Sequence, residues 1–219
     1  MIKSLPRAVI FDWDNTLVDS WGAIAESINY ARARYGLPIW DMTEIMANCT
    51  RSARESFPEW FGDKWELAWD DYYSYFDKTR ERLGLTPANG AEPLLKWLQE
   101  NKIPAVVVSN KSGDYLRQEA IKLNWNRYFL AIVGAHDAAR DKPAKEHADM
   151  ALKLGNIEAG PDVLFVGDSE SDVACARNAN CTPLLIGSRD YAEKLKVNMY
   201  VSDCQELLRL LSDAHRSVA

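Results

Sequence analysis

The chain has 219 residues, 47% hydrophobic and 26% charged, proportions that exclude a disordered or fibrous protein and suit one domain or one domain carrying an insertion. Its formal charge is −6 with no Lys/Arg block, which argues against a nucleic-acid binder and toward small-molecule partners. Four scattered cysteines (Cys49, Cys175, Cys181, Cys204) form no C-x-x-C pair, and three lone histidines (His136, His147, His215) complete no zinc spacing, so reduced, packed thiols are expected.

The first apolar run, AVIF at 8–11, reads as a buried strand and is too short for the h-region of a signal peptide. No stretch approaches a membrane span, and a cytoplasmic protein is expected. FDWDNTLVDS follows, with carboxylates at Asp12, Asp14 and Asp19. From about Ser20 to Leu85 the pattern is helical: Ile24, Ile28, Ala31 and Tyr35 lie on one stripe, and Trp65, Trp69, Tyr72, Phe76 and Leu83 on another. Five of the eight tryptophans fall in this interval, as the core of a small helical unit would require. Pro87-Ala88-Asn89-Gly90 reads as a return linker.

Four further apolar runs follow, at 105–108 (AVVV), 129–133 (FLAIV), 163–166 (VLFV) and 183–186 (PLLI). Helical patterns lie between several of them, at Glu92–Gln99, Tyr115–Leu123 and His147–Leu154. Strands alternating with helices predict an α/β fold, a doubly wound, Rossmann-like parallel sheet whose ligands sit beyond the carboxyl ends of the strands. The expected domains are a core of residues 1–19 and 87–219 and an all-helical insertion of residues 20–86, placed after the first strand.

Asp12 and Asp14 are two residues apart, so on an extended backbone both side chains face one way. An EF-hand is rejected, because Thr16, Leu17 and Ala23 occupy the places of an acidic ligand, the glycine and the closing glutamate. AVVV runs into Ser109-Asn110-Lys111, and VLFV into Gly167-Asp168-Ser169 with Asp172 following. If these strands are parallel neighbours, Asp12, Asp14, Ser109, Asp168 and Asp172 crowd one rim of the sheet. Such carboxylates repel unless a cation sits among them, and hard oxygen ligands suit Mg²⁺, which in turn draws a phosphate. Lys142 could add a fixed positive charge. Singly, each residue has a plainer reading: Asp after a strand as a turn or helix cap, Ser-Asn as a loop, Lys142 as a solvated charge. The coincidence of all of them at strand ends favours a site. No G-x-S-x-G, Walker A or G-x-G-x-x-G sequence is present, which withdraws support from hydrolase triads, P-loop chemistry and dinucleotide binding.

In order, FDWDNTLVDS, VVVSNK, Lys142-Pro143 and VGDSESDV resemble the four motifs of the haloacid dehalogenase superfamily. The insertion resembles the helical cap of the subgroup that contains phosphoglycolate phosphatases and β-phosphoglucomutases. The resemblance implies a Mg²⁺-dependent phosphatase of small phosphorylated metabolites, with a phosphoglycolate-like compound as the first substrate to test. It implies that Asp12 forms an aspartyl-phosphate and that Asp14 acts as acid and then base. Mg²⁺ would be held by Asp12, the Asp14 carbonyl and Asp168, with Asp172 as a further ligand or orienter. Thr16, Ser109, Asn110 and Lys142 would hold the phosphoryl oxygens or stabilise their charge, and Arg51, with Arg54 behind it, would read the leaving group.

Four departures stand out. Asn15 replaces a common Gly, Trp13 replaces Leu or Phe with a bearing on cap closure, and Lys145 replaces a frequent second proline, leaving Lys111 as a lesser candidate for the neutralising lysine. The cap turn Ala47-Asn48-Cys49-Thr50-Arg51 lacks glycines. A sugar-phosphate mutase of the β-phosphoglucomutase type keeps the same acids and remains the alternative. A phospho-accepting signalling domain is disfavoured by the insertion.

Overall fold

A computed structural model of the chain describes residues 4–49 and 51–218. Contacts divide it into two compact units, Met1–Val18 with Pro87–Ala219, and Asp19–Thr86. β1 (Ala8–Phe11) leads to the short β2 (Val18–Asp19), where the chain enters the second unit. That unit is made of α1 (Trp21–Arg34), α2 (Met42–Asn48), α3 (Ala53–Phe61) and α4 (Trp65–Leu83), and β3 (Thr86–Pro87) returns the chain to the first. There follow α5 (Ala91–Glu100), β4 (Ala105–Ser112), α6 (Gly113–Lys122), β5 (Ala131–Ala135), α7 (Lys145–Leu154), β6 (Val163–Gly167), α8 (Glu170–Asn178), β7 (Thr182–Ile186), α9 (Arg189–Lys194), β8 (Tyr200–Val201) and α10 (Cys204–Val218).

Six strands form one parallel sheet in the order β5-β4-β1-β6-β7-β8. This is the α/β class expected from the alternation of strands and helices. Ala8, Ile10, Val106, Val108, Val163 and Phe165 meet Ala148, Ala151 and Leu152 of α7 and Cys175 and Ala176 of α8 in one continuous core. β1 is buried along its whole length, which is why its four residues read as an unbroken apolar run. After β5 the chain crosses back over β1 to build β6 on its other side. This reversal of winding opens a crevice at the carboxyl ends of β4, β1 and β6.

Two strands depart from the periodicity reading by more than one residue. The run at 129–133 becomes a strand only from Ala131, because pairing with β4 begins at Val106↔Ala131, while Leu130 is exposed. β4 continues past AVVV into Ser109–Ser112, with an irregular register between Val108 and Ser112. A bulge of that kind re-aims side chains at a sheet edge.

In the helical unit, Ile28, Ala31, Ile45, Phe57, Phe61 and Ala68 form a small core, against which Trp21, Trp40, Trp60, Trp65 and Trp69 pack. Trp40 and Trp60 meet edge to face with centroids 5.1 Å apart, and the Arg32 guanidinium lies 3.6 Å from the Trp40 centroid. Asp41 and Glu44 close a capping box at the start of α2. Among the described residues, no helix is long and apolar enough to cross a membrane.

Candidate active site

Register places the acids. Phe11 is opposite both Val107 of β4 and Val166 of β6, and the Asp12 N–H donates to the Val166 carbonyl at 2.9 Å. The residues after these points, Asp12, Ser109 and Asp168, therefore emerge at one edge of the sheet. β1 ends at Phe11, and beyond it Asp14 forms an isolated parallel bridge with Val18, closing the turn of residues 15–17. Asn15 adopts φ 62, a left-handed conformation that Asn tolerates better than most residues, which explains how it stands where a Gly is common.

Lys142 is buried, and its ammonium donates to Asp12 Oδ1 at 2.6 Å and Asp172 Oδ1 at 2.7 Å. Burial works against that charge, yet the two carboxylates outweigh it and hold the ammonium above its ordinary range. Lys145 is exposed and pairs with Asp149, so Lys142 is the lysine at the acids. The other oxygen of Asp172, Oδ2, accepts from the Ser169 N–H at 3.0 Å and the Ser169 hydroxyl at 2.6 Å, in a capping box that starts α8. The helix-cap reading of these residues is thus real, and it coexists with the contact to Lys142. Gly167 is required here, because a Cβ on it would lie 2.3 Å from Asp172 Cγ.

Ligand oxygens of Asp12, Asp168 and Asp172 lie within 4.8 Å of one another. Burial pushes Asp12 up to about 6, with Asp172 and Asp14 adding to the rise and Lys142 opposing it. Asp168 is raised well above the ordinary carboxylate value, first by burial and then by the charges of Asp12 and Asp172. One ammonium does not neutralise three clustered carboxylates, and an oxygen-only donor set fits a hard divalent cation such as Mg²⁺. The Thr16 hydroxyl is buried and 3.4 Å from Asp168 Oδ1.

Asp14 is held by a different lysine. Lys111 Nζ donates to its Oδ1 at 2.9 Å and its Oδ2 at 3.1 Å, and is 3.3 Å from Glu119 Oε1. The Trp13 indole N–H donates to Glu119 Oε2 at 2.7 Å. Trp13 is fully buried edge-on against Trp125 and Phe129, in the core of the α/β unit.

Asn110 is engaged with backbone. Its Oδ1 accepts the Lys142 N–H at 3.0 Å and its Nδ2 donates to the Lys142 carbonyl at 3.1 Å. His147 Nδ1 accepts the same N–H at 3.1 Å, which leaves Nε2–H to donate to the Gly134 carbonyl at 3.0 Å. Together they clamp the segment that carries Lys142. Burial, helped by the Lys142 charge, lowers His147 to about 4 from an ordinary 6.5. Because the folded value is the depressed one, the stability it confers is complete above pH 6.5 and is lost as pH falls through 4. Urea titrations from pH 7 to 4 should show wild type losing up to about 3 kcal/mol relative to His147→Gln, whose side chain does not titrate. A constant difference would mean that His147 titrates in the folded chain as it does in the unfolded one.

Arg51 and Arg54 belong to the helical unit. Arg51 lies between α2 and α3 and pairs with Glu59 at 2.5 Å on the exposed surface, while Arg54 is inside the first turn of α3 and not in the connecting segment. Thr50, part of the expected cap turn, lies outside the described residues.

A parallel sheet whose carboxyl edge carries Asp12, Lys142, Asp168 and Asp172 is the arrangement of a haloacid dehalogenase-like hydrolase. The model of that family matches residues 9–186, and the chain belongs to the family. It is similar to the phosphoglycolate phosphatase of Chromobacterium violaceum, 30% identical over 94% of this chain and 97% of the relative. A solved structure from Clostridium acetobutylicum, described as a predicted phosphatase, is 26% identical with a TM-score of 0.82 and covers 96% of this chain and 100% of its own. The β-phosphoglucomutase of Clostridium difficile, at 18% identity and TM-score 0.81 over 98% and 99% of the two chains, shares the fold. Within the family the chain is a phosphatase that hydrolyses phosphate monoesters.

Proposed function

We propose that the protein is a Mg²⁺-dependent phosphatase of small phosphorylated metabolites, with the α/β unit of residues 1–18 and 87–219 as catalytic domain and residues 19–86 as cap. The observation that carries this is the division of labour between two lysines. Lys142 sits on Asp12 among the clustered acids, while Lys111 holds Asp14 apart on its own ammonium. Two carboxylates in different surroundings suit two different roles.

Asp12 attacks phosphorus through a carboxylate oxygen, forming the aspartyl-phosphate as the ester P–O bond breaks. The Lys111 ammonium, which donates to Asp14, is the source of the proton that passes through Asp14 to the departing alcohol oxygen, and Asp14 then takes one from the water that attacks the phosphoenzyme and frees Asp12. Asp12, the Asp14 carbonyl and Asp168 would hold Mg²⁺. Asp172, with both oxygens committed to Lys142 and Ser169, orients those groups. When bound, the metal supplies positive charge beside the phosphoryl oxygens. Thr16, Ser109 and Lys142 bind or neutralise those oxygens, and Asn110 acts by holding the Lys142 backbone. Arg51 or Arg54 on the helical unit reads an anionic leaving group, which makes phosphoglycolate the first substrate to test. Hydrolysis is preferred to phosphoryl transfer because the relatives at about 30% identity are named phosphatases, whereas the mutase likeness speaks for the fold alone.

Phosphate release from a panel of phosphorylated metabolites tests the reading. Turnover should vanish in EDTA and return with Mg²⁺, and Ca²⁺ should support it poorly because its larger, looser shell misplaces the nucleophile. Mg²⁺ should also raise the melting temperature of wild type and not of Asp168→Asn. Full activity in metal-free buffer would defeat the proposal.

A further inference from the structure

The buried face of α6 consists of Gly113, Leu116, Glu119 and Ala120. Three of these are what a helix packed on a sheet requires, and the fourth is a carboxylate only 5% exposed. A charge at that depth is costly unless it is paired and hydrogen-bonded. Glu119 is both, and its two partners lead to the active site. Oε2 accepts the Trp13 indole N–H at 2.7 Å, and Oε1 faces the Lys111 ammonium at 3.3 Å. The same ammonium holds both oxygens of Asp14. A chain of contacts thus runs from Trp13 through Glu119 and Lys111 to Asp14, the residue beside Trp13.

Each link restrains the next. Trp13 has no freedom to swing, being fully buried against Trp125 and Phe129. Its N–H fixes one edge of the Glu119 carboxylate. Lysine is a point charge on a flexible four-carbon stem, and with a single carboxylate at the rim it could follow that carboxylate through many rotamers. A second, immobile carboxylate behind it selects one position for the ammonium, and the ammonium then selects one orientation for Asp14. Catalytic groups act efficiently when packing and hydrogen bonds behind them lock their rotamers.

We infer that Glu119 is a positioning residue for Asp14: anchored by the Trp13 indole, it fixes Lys111, and Lys111 holds the Asp14 carboxylate in the orientation from which it serves the leaving oxygen. This rests on Asp14 being the acid of the proposed mechanism, and the test separates the two statements.

Two aryl esters of nearly the same shape serve as probes. Phenyl phosphate has a leaving oxygen of pKa about 10, like that of Tyr, whereas the nitro group of p-nitrophenyl phosphate makes its leaving oxygen a far weaker base that needs little protonation. kcat/KM is measured with both esters for wild type, Asp14→Asn and Glu119→Gln. The amide oxygen of glutamine can still accept the indole N–H but carries no charge for Lys111. Asp14→Asn should lose much more on phenyl phosphate than on the nitro ester. Glu119→Gln should show the same bias at smaller scale, about tenfold against less than about threefold, a fraction of what a general acid contributes. Equal losses on both esters for Glu119→Gln, with Asp14→Asn still discriminating, would overturn the positioning role and leave Asp14 in place. Equal losses for Asp14→Asn would overturn its assignment as acid and the inference with it. If Glu119→Gln does not melt cooperatively, Trp13→Phe carries the comparison, since it keeps a ring and removes the anchoring N–H. Bias toward phenyl phosphate then supports the chain of contacts, and equal loss overturns it.

Discussion

Asp12→Asn should lower kcat by roughly 10⁴-fold or more, the scale on which loss of a nucleophile is felt, and should do so without destabilising the fold. An amide oxygen is a poor nucleophile toward phosphorus, so the covalent step fails. The stability half of the prediction follows from burial. Asp12 is raised to about 6 in the folded chain against an ordinary 3.8, so its surroundings disfavour the charged form even with Lys142 beside it. For a carboxylate shifted upward, stability is gained as pH falls through 6 and is smallest above it. In metal-free buffer at pH 7 the neutral asparagine removes that cost, and the melting temperature should stay at or above that of wild type. Activity assays and thermal melts on the same preparations check both halves. Near-normal turnover would show that the nucleophile is another residue, and a large drop in melting temperature would show that Asp12 is held mainly as a partner for Lys142.

Lys142→Met should do the opposite, destabilising the protein as well as inactivating it. Removing the ammonium leaves Asp12 and Asp172 buried and without their shared counter-charge, and breaking a buried pair from one side costs about 3–5 kcal/mol. In wild type the Lys142 value is raised, so its contribution is complete below pH 10.5 and lost only as pH rises through the raised value. The variant should therefore be weakest near neutral and alkaline pH, and recover as acid protonates the orphaned carboxylates. Mg²⁺ should restore part of its melting temperature, because a cation answers the same charges, while turnover stays low. A variant as stable as wild type at pH 8 without metal would mean that solvent reaches these carboxylates.

The helix caps show how local and distant determinants combine. Ser169 and Asp172 are three residues apart, and their reciprocal capping bonds at α8 are legible from that spacing. That Asp172 also receives Lys142, thirty residues before it, is not, because only the pairing of β6 beside β1 brings the two together. Asn110 illustrates the same limit. As the residue after Ser109 at a strand end it reads as a phosphate ligand, yet its amide is spent on the backbone of Lys142. A side chain's partner is a matter of what lies opposite, and opposition is decided by sheet order.

Glu119 left a trace in the sequence that periodicity alone does not interpret: a carboxylate in line with Leu116 and Ala120 on the inward face of α6. Its partner Trp13 is 106 residues away. β8, two residues long at the sheet edge, and α10, with Leu207, Leu211 and Ala214 buried at helical spacing, complete the α/β unit without having entered the sequence reading. The inventory and its local geometry are legible in the chain: strands as apolar runs, because parallel strands are buried on both faces, a separate helical unit, because its aromatic residues repeat at helical spacing, and acids at strand ends. The pairing came from the packed fold: Lys142 with Asp12, Lys111 with Asp14, and Asn110 and His147 with the backbone of Lys142. Local structure follows from the period and chemistry of neighbouring residues, whereas a buried charge takes as its partner whichever group the packing of distant segments leaves within reach.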